Sequence, residues 1–457
     1  MGTTSRSHKP NEWAAKVNHT HIINDPFIKD FISNCALPKE SSDIEERDIQ
    51  FSGIPDSNIN NPIKHILAVD GGYTIVAVKK NFPTAQFAFF QFGAVLFNVE
   101  DLEALSEKPF IFPEDMQKLH NLQRFKLAIP IKNIVANSQA SLKDSIRKTL
   151  YDFFMETRDS STFMETLKWF IFEEYSNTPL DSYSLASNPN LEVGTGKLVL
   201  NRTSMNKDYT FESSAGKVYL TDVFRLHEVV DEEHGAGGML GYLARLIEQL
   251  ILVHFIRFIF KHQTRLLKEF LFIVDGPLSF SGQTANMNAP MRALCNHLKQ
   301  NNNLFLVGLE KSGPFVEHAQ EISLTSAGSP VLQSGKYILL SNNYIYKYVV
   351  PGDSSRMHYG STSYYSGKVI FHSEDGQILV LTVPIPDKDS ILSPRKEDYA
   401  NLDEVLLNIQ KLKCDMYDDA IVPVALANKL VSLANHPSKV LLEKFATSLY
   451  GTKNENG

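Results

Sequence analysis

Cysteine is scarce in this chain. Cys35, Cys295 and Cys414 are scattered through 457 residues, which excludes a disulfide framework and a CxxC metal knuckle and suits a reducing compartment. Long apolar runs are missing too. The longest, Met239 to Phe260, is broken by Arg245, Glu248, His254 and Arg257, so it predicts a buried helix and not a membrane span. No basic, apolar leader opens the chain, and Arg6 stands where a myristoylation signal needs Ser or Thr. The expectation is a cytoplasmic protein without membrane attachment. No Lys-Ser/Thr follows Gly235-Ala-Gly-Gly238, no dinucleotide fingerprint follows a strand, and no G-x-S-x-G elbow occurs. These absences argue against nucleotide hydrolysis, dinucleotide chemistry and serine–histidine catalysis. There is no internal repeat and no low-complexity block.

What is present is an ordinary globular composition, 43% hydrophobic and 21% charged, with a net charge of −7. That balance excludes a uniformly basic nucleic-acid binder but leaves room for a local basic groove. The chain is organised around His65-Ile-Leu-Ala-Val-Asp70-Gly71-Gly72-Tyr73, an apolar run that meets a carboxylate and two glycines. It reads as a buried strand ended at Asp70. The pattern recurs in Phe270-Leu-Phe-Ile-Val-Asp275-Gly276-Pro277, so two strand-end aspartates can meet on one core.

Residues 1–60 are polar, carry the acidic run Asp43 to Asp48, and read as an N-terminal extension or arm. Residues 61–390 form the expected core, and 391–457 a C-terminal helical segment that completes it. After Asp70, Thr74–Val78 and Gln86–Phe97 predict two more strands of a meander. Positions 137–180 read as helical, 177–190 as a loop, and Lys197–Leu200 with Gly216–Leu220 as a hairpin. A long helix from Met239 to about Glu269 leads into the Asp275 strand, the step of a mixed α/β core. Further strands are expected at 303–311, 337–350 and 368–384, around a tyrosine-rich loop, and a helix opens at Pro423.

Mg²⁺ and Mn²⁺ take oxygen ligands, one or two carboxylates with water and phosphate for the rest. Asp70, Asp275 and a helix glutamate meet that need. Glu248 is the best third member, because its helical neighbours Gly241, Ala244, Leu252 and Phe255 make an otherwise apolar face on which a lone charge is costly. A single Asp-Gly is ordinarily a turn, and Glu248 can equally pair with Arg245. His227-Glu228-Val-Val-Asp231 is a near miss to the zinc-peptidase helix, with His234 or Glu248 as a further ligand. A hydrated acidic loop is the plainer account.

Taken together, Ala68-Val-Asp70-Gly-Gly72, the Glu248 helix, Phe272-Ile-Val-Asp275-Gly-Pro-Leu278 and Val307-Gly-Leu-Glu-Lys311 resemble the NurA nucleases, whose members pair with a HerA-type DNA-translocating ATPase. The resemblance spans about residues 60–440. It implies an RNase H-like mixed sheet flanked by helices, with Mn²⁺ or Mg²⁺ held by Asp70, Glu248 and Asp275. It also implies a DNA nuclease acting as a homodimer docked on a HerA hexamer, in end resection or anti-phage defence. Two departures stand out. Gly72 replaces the family's serine, and the final Tyr-Pro and Ala-His motif is here Val422-Pro423 to Ala427-Asn428-Lys429, so Asn428, Lys429 or His436 substitutes or that contribution is absent. The Glu248–Asp275 spacing is long for the family, leaving Glu228, Glu232 and Glu233 as alternatives. Lys311 is placed to contact a scissile phosphate, or is a surface lysine. Arg356, His358, Tyr359, Tyr364, Tyr365 and Lys368 either grip a DNA strand or pack a β-hairpin. A catalytically inactive subunit that scaffolds the ATPase is the competing reading.

Overall fold

The computed structural model describes residues 17–55, 61–79, 82–106, 121–136, 138–158, 160–302, 304–323, 330–414, 420–431, 440–442 and 444–446. Among the described residues nine strands form the main sheet. They are β1 (Phe51–Gly53), β2 (His65–Lys79), β3 (Phe82–Asn98), β4 (Asn121–Lys132), β5 (Phe270–Asp275), β6 (Phe305–Glu310), β7 (Lys336–Leu339), β8 (Ser366–His372) and β9 (Ile378–Pro384). Their order is β1-β7-β8-β9-β6-β5-β2-β3-β4. β2, β3 and β4 are an antiparallel meander, while β5 and β6 run parallel to β2. This is the mixed α/β sheet that the sequence predicted.

Helices cover both faces. α1 (Leu142–Met155), α2 (Phe163–Ile171), α3 (Leu240–Gln263) and α4 (Asn288–Asn302) lie with the larger core, which holds Val69, Phe90, Phe92, Ile247 and Val274. α5 (Leu402–Gln410) and α6 (Val422–Val431) lie with the second, which holds Ala68, Val95, Ile273 and Leu309. Among the described residues no helix is long and apolar enough to cross a membrane.

Several local expectations are corrected. β2 does not stop at Asp70 but continues through Gly71 and Gly72, which pair with Phe92 and Gln91 of β3. The glycines are held extended by that ladder, so the turn signal is overridden. Ser182–Leu185, expected as loop, pairs with Leu198–Asn201, while Gly216–Tyr219 pairs with Thr210–Ser213. The tyrosine-rich run after β7 turns helical at Asn342–Tyr348 because Ser341 caps it, accepting from the Tyr344 N–H at 3.2 Å. The long helix ends at Gln263 and continues to Glu269 only as a tighter 3₁₀ turn. Within the segment read as an arm, Phe51–Gly53 joins the sheet edge beside β7, and Lys347 binds Glu45 and Asp48 of the acidic run.

Candidate active site

β2 and β5 pair in parallel up to Val69 opposite Val274. The next residues, Asp70 and Asp275, therefore leave the shared ladder side by side. Beyond this point, among the described residues, β2 keeps only β3 as partner, so the sheet forks at the two aspartates. Strand alternation turns both toward the face of the second core, since Val69 and Val274 belong to the first.

Glu248 arrives from the other face, on α3. It faces Gly71, where an added Cβ would strike the Phe92 ring and come within 3.1 Å of Glu248 Oε1. Only glycine lets the helix carboxylate approach the strand this closely. Asp70 and Glu248 are 5% and 6% exposed. Burial, then the negative charge of Asp275, pushes the Asp70 carboxyl up to about 7, although the Gly71 N–H donates to its Oδ1 at 2.8 Å. Burial likewise pushes Glu248 up to about 8, with Arg245 pulling it back and Asp70 and Asp275 adding to the rise.

Two cations offset part of this charge. Lys311 Nζ donates to Asp275 Oδ2 at 2.7 Å, and Arg245 Nη1 lies 3.2 Å from Glu248 Oε2. Arg245 also donates to the Asp275 carbonyl oxygen. Gly276 lets it do so: its φ is +104°, and a Cβ there would run into the guanidinium. Arg245 is a site residue that the sequence suggested only as an alternative partner for Glu248. Its i,i+3 spacing on a helix was the available signal.

Three acids against two cations leave a net negative site whose hard oxygen donors suit Mg²⁺ or Mn²⁺. Among the described residues no group of three or more His, Cys, Asp or Glu stands close enough to hold a metal ion as placed.

The alternative glutamates go elsewhere. Glu228 is bound by Arg225, Ser187 and Gln283, Glu232 accepts the N–H groups of Leu142 and Lys143 at the start of α1, and Glu233 is exposed. His227 is buried against Asp222 at 3.8 Å, and Asp231 accepts from the N–H groups of Glu233 and His234 in a turn. The zinc-peptidase pattern is therefore not on one helix and does not converge. Asn428 and Lys429 are exposed on α6, and His436 lies outside the described residues.

The tyrosine-rich loop divides. Tyr365 is buried, its hydroxyl donating to Gln249 Oε1 at 2.8 Å. Lys368 is buried with Glu310, between the rings of Phe315 and Tyr364. Tyr359 packs half-buried against Phe315, Tyr346 and Tyr364. Only Arg356, 3.1 Å from Asp353, and His358 stand at the surface. Burial inside the fold thus removes Tyr365 and Lys368 from the expected DNA grip.

The NurA domain model matches residues 64–356, more than half of the chain and all three candidate carboxylates. Among solved structures, the NurA nuclease from Sulfolobus solfataricus matches over 97% of this chain and 98% of its own, at 7% identity and a TM-score of 0.33. No curated protein matches.

Proposed function

The chain belongs to the NurA family, and from that premise we propose that it is a divalent-metal-dependent DNA nuclease. The observation that carries the reading is the pair of aspartates on neighbouring parallel strands, with a buried helix glutamate packed against Gly71, the residue that follows Asp70. Asp70, Asp275 and Glu248 would hold Mn²⁺ or Mg²⁺, which supplies activation of the attacking water and stabilisation of the leaving oxygen. Lys311 is half-buried at the rim and exchanges its bond with Asp275 for the scissile phosphate as a point charge. Arg245 keeps Glu248 oriented and balances its charge. On the family premise the nuclease works as a homodimer on a HerA-type hexameric ATPase that delivers DNA, in end resection or anti-phage defence.

The open spacing of the carboxylates and the exposed Asn428 in the family's final motif favour a second reading, an inactive subunit that scaffolds the ATPase. Cleavage of single- and double-stranded DNA with Mn²⁺, with and without the ATPase, separates the two. The nuclease reading expects cleavage that Asp70→Ala and Asp275→Ala abolish. Cleavage that survives both changes overturns the site, and no cleavage under any condition leaves the scaffold.

A further inference from the structure

Gln249 follows Glu248 on α3 and is wholly buried, flanked on the helix by the buried Leu246, Leu250 and Val253. An amide in such a place is costly unless both of its ends find partners. Here both ends are bonded. Its Nε2 donates to the Ser279 carbonyl oxygen at 2.6 Å, and its Oε1 accepts from the Tyr365 hydroxyl at 2.8 Å. Arg245, four residues earlier and so on the same side of the helix, donates to the Asp275 carbonyl oxygen. α3 therefore holds the loop that leaves β5 at two points, Asp275 through Arg245 and Ser279 through Gln249, and Glu248 lies between these two residues in the helix. The middle of the loop is tied to the sheet instead. The Leu278 N–H donates to Thr382 Oγ1 of β9 at 3.0 Å, and the Leu278 carbonyl oxygen accepts from Ser366 Oγ of β8 at 3.0 Å.

We propose that Gln249, seated by Tyr365, is a positioning residue: by holding Ser279 it fixes the Asp275 loop against α3, and so fixes Asp275 relative to Glu248 for a shared divalent cation. The proposal rests on the nuclease reading for the identity of that cation. Bonds from the sheet place the loop relative to β5, but they leave the helix that carries Glu248 free to shift. Arg245 and Gln249 join the two. Arg245 is shared with the Glu248 carboxylate, so its hold depends on the charge state of the site. Gln249 and Tyr365 are neutral and sealed from water, and burial keeps the Tyr365 phenol well above its ordinary value, so their hold does not. Groups that orient metal ligands without touching the ion typically change affinity or activity by about 10–100-fold when removed.

The test is calorimetric titration of the full chain with Mn²⁺ in the absence of DNA, with DNA cleavage measured separately and urea denaturation run on each variant. Gln249→Met keeps the volume and removes both bonds. It is expected to weaken Mn²⁺ binding about tenfold or more and to lower kcat by a similar factor with KM for DNA little altered. Tyr365→Phe leaves the bond to Ser279 but unseats the amide, and should weaken Mn²⁺ binding about threefold, within the net worth of one hydrogen bond. Thr166→Val removes the 2.7 Å bond between Thr166 Oγ1 and His254 Nδ1, further along α3, and controls for the loss of a buried hydrogen bond. It should lower stability and leave Mn²⁺ binding as it was. Wild-type Mn²⁺ affinity in folded Gln249→Met, or an equal loss of affinity in Thr166→Val, overturns the positioning role. If Gln249→Met does not fold, Tyr365→Phe decides, and wild-type affinity in that variant overturns the role. A wild-type chain that cleaves no DNA, but whose Mn²⁺ binding falls in the variants as stated, overturns the nuclease reading and leaves the positioning role standing. A wild-type chain that binds no Mn²⁺ overturns both.

Discussion

Two buried clusters of charge can be compared directly. Arg147 donates through Nε and Nη2 to both oxygens of Asp222, each at 2.8 Å, through Nη1 to Asn190 and through Nη2 also to the Lys217 carbonyl. Both partners are about as buried as Asp70, yet the guanidinium fork and the carboxylate match one for one, and the pair has no need of anything outside the chain. At the fork of the sheet three carboxylates share Arg245 and Lys311, and burial with mutual repulsion pushes Asp70 and Glu248 up. A matched buried pair is structural, whereas an unmatched one has affinity to offer a cation.

The sharpest break of this contrast is Asp222→Ala, which leaves Arg147 buried without its partner. It should destabilise the fold by about 3–5 kcal/mol in urea denaturation, and a loss under about 1 kcal/mol would remove the distinction. Asp70→Asn should do the reverse, lowering Mn²⁺-dependent cleavage by more than about a hundredfold while leaving denaturation unchanged or shifted toward higher stability. Adding Mn²⁺ should raise the stability of the wild-type chain by about 1.4 kcal/mol at tenfold excess over Kd, with little effect on Asp70→Asn, as thermal melting would report. The same carboxyls set a pH dependence. Folded carboxyls raised from 3.8 and 4.5 to about 7 and about 8 favour the protonated chain, so metal-free stability should fall as pH rises from about 4 to 8. Asp70→Asn should flatten that decline in melting curves collected across the range, and an unchanged slope would mean that the site carries no excess charge.

The strands that bear Asp70 and Asp275, and the Glu248 helix, were legible because buried parallel strands are apolar on both faces and end on conspicuous punctuation. The punctuation misled at one point. Asp70-Gly-Gly looks like a turn, but β3 supplies a continuous ladder, and a glycine with no special φ is free to stay extended. The tyrosine loop misled for the opposite reason. Composition alone does not distinguish an aromatic on a binding surface from one in a core, and Tyr365 found Gln249 while Lys368 found Glu310.

The amino-acid sequence by itself determined the α/β class, the two Asp-Gly strands and the carboxylates available to the site, because apolar runs and their breaks are local properties. Only the tertiary structure decided that Asp70 and Asp275 leave one ladder together and that Glu248 packs against Gly71, where no Cβ stands in its way. Those facts depend on register and on the side from which a helix packs, and both are fixed by contacts between residues far apart in the chain.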